Sequence, residues 1–315
     1  MTEQIVKTFF LLYFFVYNSI NLILILMSYF DIKFGIINRL VKQFDAQTII
    51  PKLQGVSVIV SGKVDLSSLS QLQYPQFEVI VADNGDVRAS LKQARFPYVC
   101  VIGDDVTLTQ DSIFQMMKMI LLKKRTVYAV SSLVGIGPAG RIILSNKIVL
   151  SRLNCLLEAP GVFIIERDAA LKINESAGLS FFSLHRYLLE NHISGDISYY
   201  PYMIATSKQA KTWKESLKSA IEEFQGLAQN LLRHRAMLFN PHYKQIGLIA
   251  YPYYFFFTFL GPILMFFGFV TLPIFYFFGS DFFSYFYSFM AITILYGFAT
   301  WILSQLLNVL LRTDT

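Results

Sequence analysis

Charge is scarce in this sequence. Asp, Glu, Lys and Arg make up 15% of its 315 residues, against about 25% in a typical soluble domain. Hydrophobic residues reach 54%. That balance excludes a disordered or fibrous chain and argues against an ordinary cytosolic enzyme. Cysteine is scarcer still, with only Cys100 and Cys155. They do not lie in a metal-type spacing. A cytosolic domain keeps both reduced, and they read as small buried hydrophobes. Length alone allows one or two domains. No basic stripe interleaved with stacking aromatics lies outside the membrane flanks, so nothing points to a nucleic-acid partner.

The apolar residues gather at the two ends of the chain. Residues 8–30 carry no charge, and about 20 helical residues cross a bilayer core. A cleaved signal peptide has a shorter apolar core of about 7–15 residues with a small-residue cleavage site after it. This run is longer and leads into Asp31, Ile32 and Lys33, so it reads as a retained anchor. From Gln245 to Leu311 the only charge is Asp281. Two spans fit there, roughly 247–278 and 283–310. Pro252, Gly261, Pro262 and Pro273 can kink the first, or its start can lie in the interface. Tyr251, Tyr253 and Tyr254 suit a headgroup belt. No span carries the paired ionisable groups that mark an ion path, which argues against a transporter or channel.

Basic residues set the expected orientation. Of 27 Lys and Arg, 25 lie between Lys33 and Lys244. The positive-inside rule places 31–246 and the C-terminus in the cytoplasm, with the N-terminus and the 279–282 turn outside. The net charge of +6 then reads as topology plus affinity for anionic membrane lipid.

Between the ends, short β-branched apolar runs stand at 56–61, 77–82 and 98–103. Their continuity suits strands buried on both faces of a parallel sheet. About 15 residues separate each pair, enough for a minimal crossover. Residues 111–122 read as a helix with Ile113, Met116, Met117 and Ile120 on its apolar face. Further strands are expected at 126–134 and 160–165. The predicted class is α/β, a nucleotide-binding type of sheet. Ligands of such sheets sit beyond the carboxyl ends of the strands. There the sequence collects Lys63 and Asp65, then Asp83, Asn84, Gly85 and Asp86, then Asp104 and Asp105. Paired carboxylates at a strand end can hold Mg2+ or Mn2+ beside a diphosphate. They equally cap turns or the next helix, and spacing does not decide between the two.

Several stretches resemble the family 2 glycosyltransferases of the membrane-bound polysaccharide-synthase type, with poly-N-acetylglucosamine and hyaluronan synthases as the pattern. Residues 74–81 followed by Asp83-Asn84-Gly85 resemble the family's strand into its DDGS turn. Ile102-Gly103-Asp104-Asp105-Val106 resembles the strand ending in its DxD motif. Gly161-Val162-Phe163-Ile164-Ile165 resembles its acceptor-side segment. Residues 229–262 are very similar to its interface helix and following span. The resemblance implies a shortened GT-A type domain with one N-terminal and about two C-terminal transmembrane helices. It divides the chain into an anchor at 1–30, a cytoplasmic domain at 31–207, amphipathic interface helices at 208–246 and membrane helices at 247–315. It implies a bacterial-type inner membrane location. If a donor binds, Asp83 and Asp104 would contact the nucleotide-sugar and Asp105 would hold Mg2+ or Mn2+.

The departures from the family pattern are as informative. Gly103 stands at the first DxD position. The region of the family's general base, Leu179 to Arg186, contains no carboxylate. Where QxxRW is expected the chain reads Ser219-Ala220-Ile221-Glu222-Glu223. A positioned base is typically worth about 10²–10⁴ in rate, and a leaving diphosphate needs positive charge. Glu222 and Glu223 place negative charge there instead. His185 and His192 lie near the base region, but a lone histidine on a helix is usually structural or surface. His234 and His242 read as interfacial, and Glu166 and Asp168 as solvated surface charge. No catalytic residue is assigned. The expectation is a catalytically inactive subunit that supports polysaccharide synthesis or export by an active synthase partner. The alternative is an active, divergent transferase using Asp83, Asp104 and Asp105. Residues 208–224 form an amphipathic helix with Trp213, Leu217, Ala220, Ile221 and Phe224 on one face. It lies either on the cytoplasmic leaflet or against the sheet domain.

Overall fold

A computed structural model describes residues 2–34, 53–61, 69–82, 86–103, 106–122, 127–131, 138–158, 161–173, 180–200, 205–207, 213–278 and 282–313. The β-branched runs form the centre of a six-stranded sheet. Its strands are β1 (Val56–Ser61), β2 (Phe77–Ala82), β3 (Tyr98–Ile102), β5 (Val127–Ser131), β6 (Val162–Glu166) and β7 (Gly195–Tyr199), in spatial order β2-β1-β3-β6-β5-β7. β1 pairs parallel with β2 and β3, and β5 with β7, whereas β6 is antiparallel to both β3 and β5. The sheet is therefore mixed, not all-parallel. A second ladder pairs β4 (Val106–Leu108) antiparallel with β8 (Ala205–Ser207). β2 departs from the expected burial. It is an edge strand, and Val79 and Val81 are exposed.

Two apolar layers cover the sheet. On one face Val58, Val60, Cys100, Ile102, Val162 and Ile164 meet helix α3 (Ser112–Leu122) through Ile113, Met116, Met117 and Ile120. These are the four residues expected on its apolar face. On the other face Ile59, Val99, Val101, Phe163 and Ile165 meet α2 (Val87–Gln93), α4 (Pro138–Arg152), α5 (Arg167–Lys172) and α6 (Phe181–Glu190). Both cysteines are free and buried. Burial pushes the Cys100 thiol up to about 12 and Cys155 up to about 11, so both stay protonated and inert.

Among the described residues, three helices are long and apolar enough to cross a membrane. The first is α1 (Thr2–Phe34). The second run begins with π-helical turns at Ile246–Ala250 and Tyr254–Phe259 around Tyr251–Tyr253, and continues as a regular helix over Leu260–Phe278. The run carries under-wound π-turns around its first proline, not a break. The last helix covers Phe282–Thr313. Gly261 faces Tyr17 and Gly268 faces Phe10, so the second run is antiparallel to α1. Phe14 stacks on Phe289 at 4.7 Å, and Ser19 Oγ lies 2.5 Å from Tyr296 Oη. The third run is therefore parallel to α1. This up-down-up order puts the base of all three helices beside the sheet domain.

The bases are part of the fold's core. Ile32 and Leu307 join the cluster beneath the sheet. Asp31 is ion-paired with Arg152 of α4. Tyr251, Tyr254, Ile246 and Ala250 pack with Leu150, Cys155, Leu157 and Phe182, and the Tyr251 hydroxyl donates to the Leu231 carbonyl. Gly247 fits because a Cβ there would lie 2.3 Å from the Asn240 carbonyl oxygen. Helix α7 (Trp213–Arg233) precedes this junction. Its second half is buried through Leu227 and Leu231, while Leu217 and Ile221 of its first half are exposed.

Candidate functional site

The parallel register of β1, β2 and β3 brings their carboxyl ends together. Ser61 lies opposite Ala82, and Val60 lies opposite Ile102. The Ser61 hydroxyl donates to the Ile102 carbonyl at 3.2 Å. Position 83 therefore directly follows one strand of this edge, and 104–105 follow another by two residues. Asp83, Asp104 and Asp105, like Lys63 and Asp65, lie outside the described residues.

Two neighbouring aspartates are described, and one of them, Asp86, caps a helix. Asp86 accepts from the backbone N–H groups of Arg88 (3.0 Å) and Ala89 (3.1 Å) at the start of α2. Asp111 accepts from Thr109 Oγ1 (3.0 Å) and Gln115 Nε2 (3.1 Å) beside the first turn of α3. For Asp86 the capping interpretation holds.

Gly103 is the described residue nearest the metal motif. Its backbone N–H donates to the Gly161 carbonyl at 2.6 Å. A Cβ at 103 would stand 3.1 Å from that oxygen. Gly161 itself has φ 44°, a left-handed conformation suited to glycine. The backbones of the third strand's end and the acceptor-side segment thus close on each other. A side chain at position 103 would be tight against this contact, and glycine in place of the first DxD carboxylate keeps the two backbones close.

The base region is helical and turned inward. Phe181, Phe182, Ser183, Leu184 and His185 of α6 are buried, and Ser180 caps the helix by accepting from the Ser183 N–H at 3.2 Å. Glu190, the helix's only carboxylate, sits at the far end on Arg186 (2.9 Å) and Tyr243 (3.1 Å). His185 places Nε2 3.0 Å from the Leu156 carbonyl. Burial pushes it down to about 4, against that hydrogen bond and the charge of Asp196. It is a neutral core residue. His192 is an exposed turn residue at φ 55°. His234 departs from the interfacial expectation. It is buried and stacks on Phe182 at 5.7 Å. His242 is exposed. Asp168 is exposed, and Glu166 is partly covered, its carboxyl held up by burial.

No protein-family model matches the sequence, and no curated protein sequence does. Among solved structures, 95% of this chain matches 99% of the mannosyltransferase PcManGT from Pyrobaculum calidifontis, in complex with GDP-Man and Mn2+, at TM-score 0.63 and 13% identity. The chain has a glycosyltransferase fold. S. aureus TarS 1-349 in complex with UDP-GlcNAc also matches, over 64% of this chain and 73% of that one, at TM-score 0.39 and 14% identity.

Proposed function

We propose that the protein is a membrane-embedded, catalytically inactive member of the family 2 glycosyltransferase type. In this reading it supports polysaccharide synthesis or export by an active synthase partner. The observation that carries the reading is α6. The helix where the resemblance places the general base buries Phe181 through His185, and its one carboxylate is tied up at the opposite end. The Gly103–Gly161 contact supports it, because glycine stands where the family has its first metal carboxylate and a side chain there would be tight against the Gly161 carbonyl. The sheet domain is cytoplasmic in this reading, from the distribution of basic residues.

A second reading rests on the fold. The mannosyltransferase of similar fold is in complex with GDP-Man and Mn2+, and in this chain Asp83, Asp104 and Asp105 follow the ends of β2 and β3. These could serve a divergent donor site for a nucleotide-sugar and Mg2+ or Mn2+. Purified full-length protein, incubated with UDP- and GDP-sugars and Mn2+, separates the two. The expected result is no nucleoside diphosphate release, with a second glycosyltransferase co-purifying from the native membrane. Metal-dependent turnover that disappears in Asp105→Ala would establish the second reading instead.

A further inference from the structure

The seam where α1 meets α4 holds buried polar atoms with no hydrogen-bond partner among the described residues. They are Ser28 Oγ and Asp31 Oδ2 on α1, and Asn146 Oδ1 on α4. The other polar atoms of the two larger groups are in use. Asn146 Nδ2 donates to Asn21 Oδ1 at 3.4 Å, and Arg152 pairs with Asp31 Oδ1. These two contacts hold α4 along α1 at both ends of the seam. On α1, positions 21, 25, 28 and 32 recur at alternating spacings of four and three, which is one helix face. Ile25, Ser28 and Ile32 on that face are buried, while Ile23, Leu26, Met27 and Phe30 are exposed.

The last helix closes the seam from a third side. It runs parallel to α1, with Phe289 beside Phe14 and Tyr296 beside Ser19. That register brings Ser304, which is buried, to the level of Ser28. Leu307 joins Ile32 in one apolar cluster. From α4 the polar contacts continue into the sheet, where Ser151 Oγ accepts from the Tyr199 N–H of β7 at 2.8 Å.

Buried polar groups are rarely left unpaired, because their lost solvation is costly. The three atoms themselves select what pairs with them. The ionised Asp31 oxygen and the Asn146 oxygen only accept, and the Ser28 hydroxyl both donates and accepts. An anion would add acceptors where donors are wanted. Arg152 already offsets the charge of Asp31, and no group of three metal-ligating acids, histidines or cysteines occurs among the described residues. Ser28 is fully buried, beyond the reach of a lipid headgroup. Water fits, since it both donates and accepts, and an internal water makes about three hydrogen bonds to such groups. Ser28 and Asp31 are three residues apart, so their Cβ atoms stand about 5–6 Å from each other, the span of one bridging water. Short serines at one level, with Ile25, Ile32 and Leu307 around them, leave room for it.

We infer that the α1–α4 seam is an internal water site, held by Ser28, Asp31 and Asn146 and closed by Ser304 of the last helix. The water completes the polar contacts that tie the membrane anchor to the helix bracing β7. The site goes beyond the inactive-subunit reading, and it holds whether or not the strand-end edge binds a donor.

Radiolytic hydroxyl-radical labelling of the full chain in nanodiscs tests it, because radicals formed from an internal water oxidise the side chains around it. Ile25, Ile32 and Leu307 are the reporters. Val58, Ile164 and Ile197, buried in the sheet, are the dry reference. Labelling of the reporters above the reference is expected, with loss to the reference level in Ser28→Ala and Asn146→Ala. Stability gives a second sign. Removing a buried polar atom that lacks any partner raises the unfolding midpoint, whereas removing one bonded to water lowers it. Ser28→Ala, which leaves the Asp31–Arg152 pair in place, is expected to lower the midpoint. Reporter labelling no higher than the reference overturns the proposal. So does labelling that is unchanged in both variants, or a midpoint that rises in Ser28→Ala.

Discussion

Gly103 decides more about the strand-end edge than any single carboxylate that is described. Its missing side chain lets the third strand touch Gly161. Gly103→Asp would restore the family's motif on paper. In the fold it forces a Cβ against a backbone oxygen, and overpacking of this kind costs about 1–3 kcal/mol. The expected outcome is a lower unfolding midpoint in detergent and no gain of Mn2+ binding. An unchanged midpoint with new metal affinity would contradict the account. His185 gives a pH-dependent test. The folded protein holds it neutral down to about 4, whereas the unfolded chain takes its proton near pH 6.5. The stability contributed by the neutral form is complete above pH 6.5 and is lost as pH falls from there toward about 4. Thermal unfolding across that window is expected to show a falling midpoint, and a shallower fall in His185→Gln. The sequence favoured a non-catalytic His185 but left open whether it was structural or on the surface. The burial of His234 was not legible, because Phe182 reaches it from a helix about 50 positions earlier.

At the scale of elements, strand positions were largely legible and their directions were not. Runs such as VSVIVS and FEVIVA coincide with β1 and β2, since β-branched residues fit a buried pleat. Alternation and run length carry no sign of direction, so the antiparallel insertion of β6 was invisible. β4 and β8 have three residues each, too few for a periodic signal. Helix α7 resolves in favour of exposure in its first half. Leu217 and Ile221 are uncovered by protein, whereas Phe224 stacks on Phe259 at 4.9 Å. An apolar stripe ending against a membrane helix suits a helix lying in the headgroup layer. Fluorescent labels at Leu217→Cys and Ile221→Cys are expected to be quenched by nitroxide lipids, and a label at Lys218→Cys by a water-soluble quencher. Equal aqueous quenching at all three sites would place the helix away from lipid.

For the whole molecule, the regular helix at Leu260–Phe278 has 19 residues, about 28 Å at 1.5 Å per residue. That matches a bilayer core of about 30 Å. The up-down-up order then puts Phe283 on the face opposite the sheet domain. A membrane-impermeant maleimide applied from outside is expected to label Phe283→Cys in intact cells. Asn191→Cys is expected to react only after permeabilisation. The native thiols are buried and contribute little background. Labelling in the reverse pattern would invert the proposed orientation.

The membrane helices do not end where the sheet begins. Ile32 and Leu307 lie inside the same apolar cluster as Ile59, Val101 and Leu184, and Tyr254 holds the Leu157 backbone. A soluble fragment cut at the lipid surface would lose part of its own interior and leave a raw hydrophobic wound. Such a truncation is therefore poorly suited to in vitro work. The protein has to be extracted and handled as one piece, lipid-facing helices included, if its ligands are to be studied.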